Sequence, residues 1–245
     1  MVQKFLRKLL LRCGYELVPA RHSQIAGGVF KPLDPLCVEL LTDPEFVASL
    51  REVNHLTLLD GPRLGNLWQL CRWSNASGSI LEVGTYRGGS ALHLSNSAPA
   101  RKIIVCDSFQ GFRKLDPDLD QAFKPNMFKD ASRDQVESLF REKGRNASVI
   151  EGFFPDSCRA VNLGPISFAY LDADTYESTK NALAFIHSKM IERSLILLDD
   201  FQRTAKGVDK AAEEFCQHQT DWSLFPLFPS QGLLVHRSWF QNNRL

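Results

Sequence analysis

The sequence predicts an α/β protein: a doubly wound, mostly parallel seven-stranded sheet behind an N-terminal helical cap. Three observations predict it. From Ser79 onward, short apolar runs alternate with amphipathic helical segments, the pattern of successive βα units. Five of these runs are uninterrupted rather than alternating, as buried parallel strands are. The chain then carries two more apolar runs separated by Pro-Ser-Gln-Gly, which reads as an antiparallel hairpin closing the sheet. With 245 residues, 44% of them apolar, there is enough material for one large core.

Taken in order, residues 1–75 lack strand alternation. The segment VQKFLRKLLLRCGYEL sets Lys4, Arg7, Lys8 and Arg12 among Phe5, Leu6, Leu9 and Leu10. It reads as a basic amphipathic helix, docked on its own domain or on a partner subunit, or in peripheral contact with an anionic membrane surface. A homodimer is compatible with that helix. Its apolar stretch is too short and too charged for a signal peptide. No run of 18 apolar residues exists to span a bilayer. Helical runs follow around VELLTDPEFVASLREV and RLGNLWQLCRW, broken by Pro32, Pro35 and Pro62. Residues 1–75 are therefore read as a helical cap and 76–245 as the sheet domain.

Within that domain SILEVG, KIIVCD, ASVIEG, ISFAYLD and SLILLDD are the five central strands. A helix begins near Ser90, and others cover roughly 132–143, 176–189 and 207–218. Ser132 with Gln135 forms a capping-box pattern for the first of these three. WSLFPLF and LLVHRS form the hairpin. The charged loop from Gly111 to Asp130 is long enough to be a functional lid. Cysteines 13, 37, 71, 106, 158 and 216 are scattered with no CxxC, the usage of reduced thiols in a cytoplasmic protein. Net charge is +1, so no nucleic-acid partner is indicated.

Chemistry-bearing residues fall where strands end. Asp172 closes ISFAYLD, and Asp199 with Asp200 closes SLILLDD. Ligands of open parallel sheets bind beyond these carboxyl ends. Three gathered carboxylates repel one another unless a cation lies among them, so Asp172, Asp199 and Asp200 are candidate metal ligands. Hard oxygen donors suit Mg²⁺, and Mn²⁺ or Ca²⁺ by the same chemistry. The turn after the first strand runs Glu82-Val-Gly84-Thr85-Tyr86-Arg-Gly88-Gly89-Ser90. Its glycine spacing is not that of a dinucleotide fingerprint. An acid two residues before the first glycine suits a cationic amine better than a phosphate, and S-adenosylmethionine carries an amine, a sulfonium and no phosphate. Asp107, ending the second strand, is placed to bind ribose hydroxyls. Gly152, Phe153 and Phe154 after the third strand are placed to sandwich an adenine.

The blocks LEVGTYRGGS, CDSFQGF, EGFFPDS, LDADTYESTKNAL and LLDDF with Gly207 resemble the macrocin O-methyltransferase family, in the family's order, from about Arg63 to Phe215. The resemblance implies a class I, Rossmann-like methyltransferase domain that uses S-adenosylmethionine and a divalent metal to methylate hydroxyls of glycosides. It implies that Glu82, Gly84, Thr85, Tyr86, Gly88, Ser90, Asp107, Ser108, Gly152, Phe153 and Asp172 line the cofactor. Asp172, Asp199 and Asp200 would hold the metal, and Asp174 would be the base. Phe201 stands where the family commonly has Tyr. If the strand stays extended, Asp174 points to the same side as Asp172; its other reading is the N-cap of the helix near Tyr176. Catechol-type methyltransferases resemble this arrangement but carry a lysine three residues after the first metal Asp, where this chain has Thr175. A sugar or glycan hydroxyl is thus the expected acceptor, a catechol or phenol the alternative, and a non-catalytic cofactor-binding protein a third reading. His93 and His187 are expected to be structural. His236 lies on the last strand, where it could face the cofactor.

Overall fold

The computed structural model describes residues 15–17, 30–32, 40–202 and 206–240. The chain divides into two compact units, residues 1–48 and 49–245. In the first unit, β1 (Tyr15–Leu17) and β2 (Phe30–Pro32) pair antiparallel. Tyr15–Leu17, expected to end an amphipathic helix, is therefore extended, its backbone satisfied by a partner strand rather than by a helical turn. The rest of that expected helix lies outside the described residues. Helix α1 (Pro44–Val53) follows.

The second unit is the predicted sheet. Helix α2 (Gly61–Trp73) opens with Asp60 as N-cap, its carboxylate accepting from the Arg63 amide at 3.0 Å. Pro62 sits in the first turn, where a missing N–H costs nothing. This helix buries Leu64, Leu67 and Leu70 in the sheet's core, so it belongs to the sheet unit and not to a cap.

Strands β3 (Ser79–Val83), β4 (Ile103–Asp107), β5 (Ala147–Glu151), β6 (Ile166–Leu171), β7 (Met190–Leu198), β8 (Trp222–Leu227) and β9 (Gln231–His236) form one sheet of order β5-β4-β3-β6-β7-β9-β8. β5, β4, β3, β6 and β7 are parallel, and β9 runs antiparallel to both neighbours. Alternate residues face opposite layers. Ile80, Val105, Phe168 and Leu197 pack with α2, α3 (Gly89–Ser97) and α4 (Arg133–Glu142). Leu81, Ile104, Ala169 and Ile196 pack with α5 (Tyr176–Ile186) and α6 (Lys206–His218). Ser132 caps α4 by accepting from the Gln135 amide. Helix α5 stops at Ile186, followed by a 3-10 turn, His187–Lys189.

Strand order reverses between β3 and β6, the topological switch point where such sheets open a crevice. The ladder there is continued past the strands by Gly84 N to Cys106 O (2.8 Å), Gly152 N to Asp107 O (2.9 Å), Asp172 N to Val83 O (2.9 Å) and Asp199 N to Leu171 O (3.0 Å). One sheet edge therefore carries every strand-end residue singled out above. Among the described residues, no helix is long and apolar enough to cross a membrane.

His93 is fully buried on α3, its Nδ1 2.8 Å from the Ser49 hydroxyl and its Nε2 3.0 Å from the Leu64 carbonyl. Burial pushes its pKa down to about 4. The unfolded chain therefore takes up a proton near pH 6.5 that the fold refuses until about pH 4. Stability is expected to fall by about 3 kcal/mol as pH drops through that window, measured by urea unfolding. The same series on His93→Gln should lose this component of the slope; an unchanged slope would contradict it.

Candidate active site

A cavity of about 380 Å³ lies along the edge where β3, β4, β5, β6 and β7 end, a size suited to a small molecule. Of the expected cofactor residues, Gly84, Thr85, Tyr86, Ser90, Asp107, Ser108, Gly152, Phe153 and Asp172 line it. Glu82 and Gly88 do not. Gly88 turns the chain into α3 at φ +83°. Glu82 lies fully buried behind the wall, neither oxygen hydrogen-bonded. Burial pushes its pKa up to about 8, the nearby hydroxyls of Ser90 and Thr85 offsetting this in part without reaching hydrogen-bond geometry.

Gly84 is required twice over. Its φ of +84° disfavours a side chain, and a Cβ there would sit 2.0 Å from the Asp172 carbonyl oxygen. Asp107 staples the turn: one carboxylate oxygen accepts from the amides of Thr85 (2.8 Å) and Tyr86 (2.9 Å), the other from Phe109 (2.8 Å). It thus fixes the turn's backbone as well as facing the cavity.

The acids converge as expected. Asp172, Asp174, Asp199 and Asp200 all line the cavity. Burial, then the charges of Asp199, Asp174 and Asp200, hold the Asp172 carboxyl well above the usual carboxylate range. Burial, then Asp200 and Asp199, does the same to Asp174. Asp174 is not extended: its φ is +59°, in the left-handed region, so the alternation argument for its direction does not hold. Nor does it cap α5. That position is Thr175, whose hydroxyl accepts from the Ser178 amide. Asp174 therefore faces the cavity without a capping duty, and Asp200 also sits at positive φ, +57°. Strained non-glycine residues of this kind concentrate at functional sites.

Arg63 of α2 lines the same cavity, and no feature of its local sequence marks it. Its guanidinium donates to Asp199 Oδ2 at 2.5 Å, lies 3.8 Å from Asp200, and donates to the Leu58 carbonyl at 3.3 Å. Gln231 donates to the other Asp199 oxygen at 2.9 Å. Burial opposes the Arg63 charge, but the carboxylates of Asp199 and Asp60 hold it more firmly protonated than an ordinary arginine. Burial raises Asp199, with Arg63 the main offset. Both Asp199 oxygens are thus engaged. Among the described residues, no three His, Cys, Asp or Glu side chains are set as a metal cage. The donor chemistry nevertheless fits a hard cation: carboxylate oxygens in mutual repulsion around one cavity.

The Gly111–Asp130 loop supplies the outer wall through Gly111, Phe112, Arg113, Phe123 and Phe128. Phe112 stacks against Phe123 and Phe128 with ring centroids 5.2 and 5.8 Å apart, and Phe128 against Tyr86 at 5.6 Å. Buried Asp120 anchors the loop by accepting from the Asp116 and Tyr176 amides at 2.8 and 2.9 Å. Leu58 and Leu59, before α2, and Phe154 also contribute. His236 does not line the cavity; it packs on Trp222 and bonds Ser238.

Comparison with known proteins finds the Macrocin-O-methyltransferase (TylF) family matching residues 56–222. The 8-demethyl-8-(2,3-dimethoxy-alpha-L-rhamnosyl)-tetracenomycin-C 4'-O-methyltransferase of Streptomyces olivaceus is 26% identical over 51% of this chain and 53% of its own length. The chain thus spans about half the length of that relative. Mycinamicin III 3''-O-methyltransferase of Micromonospora griseorubida is 26% identical over 66% of this chain and 74% of its own. Among solved structures, the O-methyltransferase NovP superposes with a TM-score of 0.64 at 21% identity, covering 74% of this chain and 82% of that one.

Replacing Arg63 by Met leaves Asp199 buried without its cation. Loss of one partner of a buried pair costs about 3–5 kcal/mol, and Arg63→Met should lose stability on that scale in urea unfolding. Adding Asp199→Asn should recover part of it. A loss below about 1 kcal/mol would mean that Arg63 does not neutralise this cluster.

Proposed function

The chain belongs to the macrocin O-methyltransferase family, and on that premise we propose that it is an S-adenosylmethionine-dependent O-methyltransferase that methylates a hydroxyl of a glycosylated small molecule with a divalent cation at the strand-end acids. The single observation that carries the reading is the convergence of Asp172, Asp174, Asp199 and Asp200 on the cavity that the glycine-rich turn also lines. The rhamnosyl substrate in one relative's name supports a sugar hydroxyl as acceptor.

In this reading the turn residues Gly84, Thr85, Tyr86 and Ser90 would hold the amino-acid end of S-adenosylmethionine. Glu82 places a titratable carboxyl behind them that an adjacent ammonium would draw toward its ionised form. Asp107 and Ser108 would hold the ribose, and Gly152 and Phe153 the adenine. The cofactor supplies a methyl carbon already activated by its sulfonium. Asp172, Asp199 and Asp200 are the residues that would hold Mg²⁺, with Asp199 shared with Arg63. Such an ion makes a hydroxyl in contact with it easier to deprotonate.

Asp174 would accept the proton that the acceptor hydroxyl gives up as the methyl passes from sulfur to that oxygen. A carboxylate whose pKa lies above the ordinary range is, when ionised, a stronger base than an ordinary one. The loop's aromatic wall, held by Asp120, orients the acceptor and keeps bulk water from the reacting oxygen. Alignment of this kind contributes on the order of 7–11 kcal/mol. A phenolic acceptor is the second reading, favoured by the rings of Phe112, Phe123 and Phe128. Against it stands Thr175, fully buried as a helix cap where catechol-type enzymes carry lysine.

Asp174→Asn should cut methyl transfer by about 10²–10⁴-fold, with S-adenosylhomocysteine affinity by calorimetry changed no more than about threefold (under 1 kcal/mol). Near-wild-type turnover would remove Asp174 as base. Assayed over rhamnosylated aglycones and catechols, the wild type should prefer the former; turnover of catechols alone would establish the phenolic reading.

A further inference from the structure

Cys106 is the penultimate residue of β4, one before Asp107, and lines the cavity. Cys158 lies in a 3-10 turn, Asp156–Cys158, soon after Gly152, Phe153 and Phe154. The two sulfurs are 3.4 Å apart, and both residues are fully buried. We propose that Cys106 and Cys158 are a dithiol oxidation site, taking hydrogen peroxide as oxidant, whose disulfide narrows the adenine side of the cofactor cavity.

The geometry requires little movement. A disulfide places its sulfurs about 2.0 Å apart, so each sulfur shifts by well under 1 Å. The surroundings assist. Hydrogen bonding from Cys106 draws the Cys158 thiol below its ordinary value, while that bond and burial push Cys106 up. The pair therefore loses its first proton more easily than an isolated buried cysteine. Cys71, by contrast, is a buried thiol that burial pushes up, and Cys216 is raised the same way.

The reaction balances with hydrogen peroxide alone. The first thiolate of the pair attacks one peroxide oxygen, forming an S–O bond as the O–O bond breaks. The departing hydroxide takes up the proton the thiol released and leaves as water. The second sulfur then displaces hydroxide from the sulfenic sulfur, forming the S–S bond, and its own proton leaves with that hydroxide as a second water. Two thiols are oxidised by two electrons and one peroxide is reduced to two waters.

The consequence follows from position. Asp107 adjoins Cys106 and fixes the amides of Thr85 and Tyr86, while Phe153 and Phe154 precede Cys158 on the facing wall. Drawing the sulfurs together draws these walls together. Because Cys106 meets the cavity, an occupied cavity shields the pair. The crosslink stands on geometry alone; its effect on the cofactor rests on the cofactor reading above.

The experiment treats the purified full chain with hydrogen peroxide, with and without saturating S-adenosylhomocysteine. It maps disulfides by non-reducing peptide mass spectrometry and measures S-adenosylhomocysteine affinity by calorimetry before oxidation, after it, and after dithiothreitol. The expected result is a Cys106–Cys158 crosslink formed ahead of any involving Cys71 or Cys216. S-adenosylhomocysteine should slow it severalfold, and the crosslink should weaken binding at least tenfold, reversed by dithiothreitol. Cys158→Ser should abolish the crosslink and keep reduced-state affinity. Peroxide-treated, folded protein with both thiols free would overturn the proposal, as would a crosslink that leaves affinity unchanged. Failure of the reduced protein to bind S-adenosylhomocysteine would instead fail the cofactor reading, with the mapped crosslink still deciding whether the dithiol site exists.

Discussion

Electrostatic repulsion among clustered carboxylates is the constraint on which the site depends. Asp172, Asp174, Asp199 and Asp200 face one cavity at the ends of two adjacent parallel strands. Burial and mutual repulsion hold the carboxyls of Asp172, Asp174 and Asp199 above the usual carboxylate range. Arg63 makes the arrangement tolerable by pairing directly with Asp199, while Gln231 satisfies the other oxygen. The cluster is a place where positive charge is stabilising, which is the property a methyltransferase of this family would use.

The fold delivers these groups through a short chain of causes. The strand order reverses between β3 and β6, so the turn after β3 and the acid after β6 emerge side by side. Their contact is close enough that Gly84 can carry no side chain against the Asp172 carbonyl. Asp107, from the next strand, fixes the other side of the same turn. The glycine-rich wall and the acid wall are thus two faces of one backbone contact. Gly207 extends the same economy of space: a Cβ there would sit 2.3 Å from Asp120, the anchor of the outer loop.

Much of this was legible in the sequence because it is written locally. Uninterrupted apolar runs that stop at Glu, Gly or Asp mark buried parallel strands, and the five central strands and the hairpin lie where those runs predict. The acid positions follow directly from the strand ends. What was illegible depends on contacts distant along the chain. Arg63 pairs with Asp199 136 residues away, and its own segment reads as an ordinary helix. For the same reason α2 was read as part of a cap, although its apolar face completes the sheet's core. The pairing of β1 with β2 was hidden because strands of three residues are too short to show alternation. The turn at Asp174 is hidden because alternation fixes a side chain's direction only where backbone stays extended, whereas the chain turns left-handed there and leaves the cap to Thr175.

The central claim is that the acids ending β6 and β7 hold a divalent cation alongside Arg63. The most direct measurement is Mn²⁺ binding to the purified protein, followed by electron paramagnetic resonance with S-adenosylhomocysteine present. The account predicts one bound Mn²⁺ per chain, displaced by Mg²⁺ and lost in a folded Asp200→Asn variant. A protein that binds S-adenosylhomocysteine but no Mn²⁺, or binds Mn²⁺ equally well without Asp200, would contradict it.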